Sequence, residues 1–231
     1  MLNPKVKKAI DFSYNKILNF HKKQLKNFKN ISYIDVLRNK LEYRVVPIEK
    51  IGIYTPSGLP TSLLMTAIAA RLAKVKKIIL ATPKNNGELN AAIMYVAKKT
   101  GIKLIMNCGG AQAIASLAYI NKVDKIVGPG NAWVAEAKRQ LSGKIIGTES
   151  MYAGESEICV IADNKTNIDQ IVTSLVSQAE HDPNSQSILI TKYQEVLNKV
   201  RKQLPIALKR LPRKKIAIKS IQNNCIMIKA I

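Results

Sequence analysis

Ile51-Gly-Ile-Tyr-Thr-Pro-Ser-Gly58 is the stretch from which the fold is read. A short apolar run stops at a Pro-Ser-Gly turn, and a segment of high helix propensity, Ser62 to Ala73, follows with Thr61 or Ser62 as its expected N-cap. The same unit then recurs. Lys77-Ile-Ile-Leu-Ala-Thr82 is closed by Pro83 and followed by an expected helix over Leu89 to Thr100, with Gly101 just past its end. Ile102-Lys-Leu-Ile-Met106 runs into Cys108-Gly-Gly110 and an expected helix over Ala111 to Ile120. Lys125-Ile-Val127 runs into Gly128-Pro-Gly-Asn131 and a helix over Asn131 to Leu141. Strand, turn and helix repeated in this way are the signature of a parallel sheet with helices on its faces.

Ligands of such sheets bind where the loops gather, at the carboxyl ends of the strands. Three loops fall there: Tyr54-Thr-Pro-Ser-Gly58, Asn107-Cys-Gly-Gly-Ala-Gln112 and Gly128-Pro-Gly-Asn131. Glycine lets a ligand approach the backbone, and the free N–H groups at a helix start favour an anion such as a pyrophosphate. The same glycines also serve plain turn chemistry, and the usual dinucleotide fingerprint G-x-G-x-x-G is missing. A nucleotide pocket and a set of ordinary turns are both compatible with these loops.

Outward from this core, Pro4 to Lys29 carries Val6, Ile10, Phe12, Tyr14, Ile17, Leu18 and Phe20 broadly at helical spacing among lysines and reads as an amphipathic helix. Asn30 to Glu49 is irregular, with Tyr43-Arg-Val-Val-Pro47 as an expected short extended piece. Beyond Gly147 come a strand at Ile158-Cys-Val-Ile-Ala162, a helix around Ile171, a strand at Ser187-Ile-Leu-Ile190, a lysine-rich helix from Tyr193 to Leu204 and the start of a strand at Ile226-Met-Ile228. The expected architecture is therefore α/β. It has an N-terminal helical adaptor (1–50), a parallel-sheet Rossmann-like domain (51–157) and an incomplete second α/β unit (158–231).

The helix around Ile171 holds one of only two histidines in the chain, His181, three residues after Gln178. On a helix that spacing puts both side chains on one face, and Asp182-Pro183 is expected to end the helix. One reading is half of a metal or substrate site. The other is a polar helix end with a surface histidine.

Composition narrows the classes. The chain has 231 residues, 47% of them hydrophobic, which is enough for a real core. No apolar run reaches membrane-spanning length, and the start, Met1-Leu-Asn-Pro-Lys5, lacks an apolar signal segment, so the expected location is cytoplasmic. Cys108, Cys159 and Cys225 are odd in number and scattered, which reads as reduced thiols. The net charge of +22 would suit nucleic acid. However, only seven of the 37 basic residues are arginine, and they are not interleaved with aromatics, so nucleic acid is not the expected primary partner.

Taken in order, these motifs resemble the histidinol dehydrogenase family. The match is carried by Gly52-Ile-Tyr-Thr-Pro56, Gly109-Gly-Ala-Gln-Ala-Ile-Ala115, Val123-Asp-Lys-Ile-Val-Gly-Pro-Gly-Asn131, Glu136-Ala-Lys-Arg-Gln140, Ala153-Gly-Glu-Ser-Glu157 and Ser177-Gln-Ala-Glu-His-Asp-Pro183. The resemblance implies an NAD- and zinc-dependent enzyme of histidine biosynthesis that oxidises L-histidinol to L-histidine in two steps. It also implies that family members form homodimers. It places Tyr54, Gln112 and Asn131 at NAD, Ser156 at the substrate, and Gln178 and His181 at both zinc and substrate. Two local departures stand out. Pro-Ser-Gly58 replaces the family's Pro-Gly-Gly, and Ala153-Gly-Glu155 replaces Ala-Gly-Pro, with Ser150 where the family has aspartate.

Family members are also nearly twice as long. The resemblance implies that the glutamate–histidine pair doing the acid/base work, and the remaining zinc ligands, lie in a C-terminal half not represented in these 231 residues. No catalytic residue is therefore assigned, and this chain alone is expected to be inactive or weak. The alternatives are a non-catalytic nucleotide-binding relic and a basic protein that binds nucleic acid or an acidic partner.

Overall fold

The computed structural model describes residues 2–149, 156–211 and 213–230. Ser150 and the Ala153–Glu155 part of the Ala-Gly-Glu-Ser-Glu motif lie outside them. The chain divides into two compact units, Met1–Ala153 and Gly154–Ile231.

In the first unit, a long helix α1 (Pro4–Leu25) and a hairpin of β1 (Ile31–Ile34) and β2 (Lys40–Tyr43) precede the sheet. Then β3 (Lys50–Tyr54), α2 (Pro60–Leu72), β4 (Lys77–Ala81), α3 (Ala91–Lys99) and β5 (Leu104–Met106) alternate. They are followed by α4 (Gly110–Ala115), β6 (Lys125–Val127), α5 (Ala132–Leu141) and a short β7 (Gly147–Thr148). Five strands form one parallel sheet in the order β5-β4-β3-β6-β7. The chain starts in the middle at β3, moves outward through β4 and β5, then crosses back to β6. That is the doubly wound order, and its reversal lies between β3 and β6, where such sheets open a crevice for ligands.

Local chemistry sets the helix ends. Asn90 accepts hydrogen bonds from the Ala92 and Ile93 N–H groups and starts α3. Gly101, at φ +71°, ends it in the left-handed conformation anticipated from the sequence. The expected cap of α2 is corrected: Leu59 precedes the helix and Pro60 takes the first helical position, where its missing N–H costs nothing. The helix after β5 is α-helical only to Ala115 and passes into a π-helical turn over Ser116–Ile120. The extended piece expected at 43–47 is instead a hairpin strand that ends at Tyr43.

The sheet is covered by two apolar layers. Ile53, Leu63, Leu64, Ile68, Leu80, Ile93 and Val96 form one, and Ile79, Ile114, Leu117, Ile126 and Val134 the other. Helix α1 joins the first layer through Ile10, Tyr14, Ile17 and Leu18. It is fixed by Asp11, which accepts from the Tyr95 hydroxyl at 2.8 Å and pairs with the Lys99 ammonium at 2.8 Å. The hairpin is different. Cross-strand pairs Ile31–Tyr43 and Tyr33–Leu41 lie on one face, and each of these four side chains is more than half exposed. An apolar cavity of about 880 Å³ lies beside it, lined by Leu25, Phe28, Val45, Val46 and Leu72 among others. Because it is bounded by the carboxyl-terminal end of α2, it sits at the amino ends of the strands.

The second unit comprises β8 (Glu157–Ala162), α6 (Ile168–Ala179), β9 (Gln186–Thr191), α7 (Gln194–Lys209), α8 (Lys214–Asn224) and β10 (Cys225–Lys229). Its parallel sheet runs β10-β9-β8 and packs on Ile171, Leu175, Val196, Val200, Leu204 and Ala217. Helix α7 continues past the expected end at Leu204, through Pro205 to Lys209. Pro205 is exposed, so the carbonyl freed by its missing N–H faces water rather than the core. Helix α8 was not anticipated at all. All three cysteines are free thiols.

Two outcomes follow. The Lys99 hydrogen bond first, and the Tyr95 hydroxyl second, hold the Asp11 carboxyl below its ordinary value of 3.8. Their stabilisation is fully present above that value and is lost as pH falls through the lower folded-state value. Asp11→Asn should lower the thermal midpoint at pH 7 and match the wild type in strong acid, and a gap that persists in acid would disprove the linkage. In urea unfolding, Tyr33→Lys on the open hairpin face should change stability by no more than about 0.5 kcal/mol. Leu80→Ala in the core should cost about 2–5 kcal/mol, and equal losses would mean that the hairpin face is covered.

Candidate functional site

The three loops singled out in the sequence stand at the carboxyl ends of β3, β5 and β6. They are tied to one another through Tyr54. Its side chain is only 5% exposed, and its hydroxyl accepts a hydrogen bond from the Gly110 N–H at 3.2 Å, joining the first loop to the second. Its carbonyl oxygen faces Gly128 so closely that a Cβ added there would lie 2.0 Å from it, and Gly128 has φ +114°. Only glycine fits, so the third loop is pressed against the first. Of the residues expected at NAD, Tyr54 is thus inside, whereas Gln112 and Asn131 are exposed at their helix starts.

Asn131 caps α5 by accepting from the Val134 N–H at 3.1 Å. The N–H groups of Ala132 and Trp133 remain as first-turn donors that the helix itself cannot satisfy. Thr55 and Thr82 follow the last paired residues of β3 and β4, Tyr54 and Ala81. Both are buried, with hydroxyls that have no hydrogen-bond partner. This end of the sheet therefore offers free donors and orphaned hydroxyls, the donor set that a polar, anionic ligand requires.

Sequence reasoning missed Lys138. In Glu136-Ala-Lys-Arg-Gln140 it reads as one charge among several on a solvated helix. Glu136 and Arg139 do behave so: they pair on the outer face, and Arg139, then Gln140, pull the Glu136 carboxyl down to about 2. Lys138 points inward, is 6% exposed, and donates to the Gly128 carbonyl and the Glu149 carboxylate. It is the only charged side chain in the buried set among the described residues.

In the second unit, α6 ends at Ala179, earlier than the expected stop at Asp182-Pro183. The chain then tightens into a turn in which the His181 N–H donates to the Gln178 carbonyl three residues back at 3.1 Å. Gln178 is half-buried and its amide nitrogen has no partner, while His181 is exposed. The unanticipated α8 pins the turn that follows. The Arg213 N–H donates to Glu180 at 3.1 Å, the Ser220 hydroxyl to the Ser185 carbonyl at 2.7 Å, and the Asn224 amide to the Pro183 carbonyl at 3.2 Å. Ser156 leads into β8, and its carbonyl accepts from the Gln186 N–H at the start of β9, at 3.0 Å. Ser156, Gln178 and His181 therefore gather at the amino end of this sheet.

As metal donors, Gln178 and His181 are too few, because a closed zinc shell needs four. Among the described residues no group of three or more His, Cys, Asp or Glu side chains could hold a metal ion. Within these residues the two side chains are chemically suited to zinc but too few to hold it by themselves.

The family model described as histidinol dehydrogenase matches residues 1–230. A histidinol dehydrogenase of Pelagibacter ubique is 47% identical over 234 residues, covering 98% of this chain and 54% of the relative. "Histidinol dehydrogenase 1" of Trichormus variabilis is 44% identical, covering 95% and 52%. The crystal structure of histidinol dehydrogenase from Elizabethkingia anophelis superposes with a TM-score of 0.91 at 36% identity, covering 99% of this chain and 54% of that one. A methylmalonate-semialdehyde dehydrogenase from Oceanimonas doudoroffii, at TM-score 0.61 and 13% identity, covers 88% of this chain and 43% of its own, and shares the fold alone. The chain spans about half the length of the curated relatives it matches. With a family match along nearly its whole length, and with the motif-bearing loops gathered at the ends of its two sheets, this chain belongs to the histidinol dehydrogenase family.

Proposed function

We propose that this chain is the NAD-holding portion of a cytoplasmic histidinol dehydrogenase and that it also contributes part of the site for L-histidinol. NAD would lie across the crevice between β3 and β6, with Gln112 and Asn131 as contacts and Tyr54 bracing the loops from beneath. The single observation that carries this reading is that the first-turn N–H groups of α5 and the orphaned, buried Thr55 hydroxyl stand at the carboxyl ends of β6 and β3, the two strands between which the sheet reverses. When bound, NAD accepts hydride from the substrate carbon. The chain's own part is to bind and orient the dinucleotide. Ser156, Gln178 and His181 would present a hydroxyl, an amide and an imidazole to the amino alcohol, and Gln178 and His181 would supply two donors of a zinc shell completed by residues not present here. In domain terms, 51–157 carries the nucleotide and, at its end, Ser156, while 158–231 carries Gln178 and His181.

Two measurements test this. In calorimetric titration the chain should bind NAD, and Gln112→Ala or Asn131→Ala should each weaken binding by about three- to ten-fold, the worth of one hydrogen bond. Because Asn131→Ala also removes a cap worth about 1 kcal/mol, Gln112→Ala is the cleaner arm. No binding by the wild-type chain would sink the nucleotide reading. With L-histidinol, NAD and zinc present, the chain alone should show no turnover. NAD reduction that His181→Ala abolishes would overturn the view that the base lies elsewhere.

A further inference from the structure

We propose that Lys138 is a positioning residue for the Gly128–Asn131 loop, holding that loop in the one arrangement in which the start of α5 can face a ligand. The proposal rests on the nucleotide reading of this end of the sheet, and it concerns a residue that touches no ligand.

A lysine ammonium is almost never left inside a protein without strong compensation, since its hydration must be replaced. Among the described residues the compensation comes from two sources, the carbonyl of Gly128 and the carboxylate of Glu149. Glu149 neutralises the charge. The Gly128 contact does something separate, because a carbonyl turned inward onto Lys138 sets the direction of the Gly128–Pro129 peptide. Gly128 itself is at φ +114°, a conformation other residues avoid, with its α-carbon pressed on the Tyr54 carbonyl. A glycine offers many alternative backbone states, and Pro129 has no N–H with which to anchor the next peptide. Among the described residues the Lys138 ammonium is the side-chain donor that holds the Gly128 carbonyl.

The loop then delivers Asn131 to its capping position over Val134, and α5 begins at Ala132. Because Lys138 belongs to the helix whose start it organises, the device is closed. The buried second turn of α5 reaches back to hold the strand end that feeds the helix. Without it, Gly128 is free to rotate and the first-turn N–H groups lose their common direction.

Removing the lysine alone confounds two effects, since Lys138→Met strands a carboxylate beside an apolar side chain. The informative variant is the double change Lys138→Met with Glu149→Leu. It removes both charges and leaves no orphan ion, so a general stabilising role is largely restored. A positioning role is not restored, because the Gly128 carbonyl still has no donor. In the full chain the double variant should regain a thermal midpoint close to wild type. Its Val134 and Ala135 amides, bonded to the Asn131 side chain and carbonyl respectively, should still exchange with deuterium about ten-fold faster or more than in wild type, while amides of β4 are unchanged. Its NAD dissociation constant should rise by about ten-fold, the worth of one charge-assisted hydrogen bond.

Wild-type exchange at Val134 and Ala135 in the double variant would overturn the proposal, whatever the nucleotide result. Fast exchange there, in a protein whose wild type fails to bind NAD, would uphold the positioning role and reject the nucleotide reading. NAD binding equal to wild type in the double variant would leave the nucleotide reading intact and reject the positioning role.

Discussion

The contact between Gly128 and the carbonyl of Tyr54 is the constraint on which the carboxyl end of the first unit's sheet depends. A doubly wound sheet reverses direction between two neighbouring strands, here β3 and β6, and their outgoing loops must diverge to leave a crevice. In this protein they diverge only after first touching. The approach leaves no room for a Cβ, so the two strand ends are locked before the loops open. The Tyr54 ring is buried so that its hydroxyl can receive the Gly110 N–H, and the Gly128 carbonyl is received by a lysine in α5. The cost is a buried cation, which Glu149 offsets.

The second unit is organised from the opposite end. Its candidate residues precede strands rather than follow them. Ser156 stands before β8, and Gln178 and His181 stand before β9. A turn in that position has no helix start to shape it, and α8 takes over, anchoring three successive points from Glu180 to Ser185. Such anchoring suits a polar pair that must hold direction while staying accessible. The chain spans about half the length of the curated relatives it matches. The surplus of positive charge has a modest structural role by comparison. Most of the described ion pairs are substantially exposed, and pairs of that kind contribute little to stability.

Much was legible from residue order alone. The strand–turn–helix repeat predicted β3 to β6 and their helices because short apolar runs and Pro and Gly stops are local signals. Ile51 to Tyr54, Lys77 to Ala81 and Lys125 to Val127 fall where the pattern put them. Helix α8 was invisible because Lys214 to Asn224 is poor in apolar spacing. Its fully buried residues are Ala217 and Ser220, too small and neutral to signal a core, and Ile221 packs on the core only partly buried.

By itself, then, the sequence determined the α/β class, the family and the loops that carry its motifs, since each is encoded within a few consecutive residues. Only the tertiary structure decided which members of those motifs are exposed and which brace the loops. Tyr54 and Lys138 look like surface chemistry in one dimension, and both are buried. The physical reason is that burial is a property of neighbours distant in the chain. Position 128 takes only glycine because of residue 54, and Lys138 is interior because Gly128 and Glu149 meet it there.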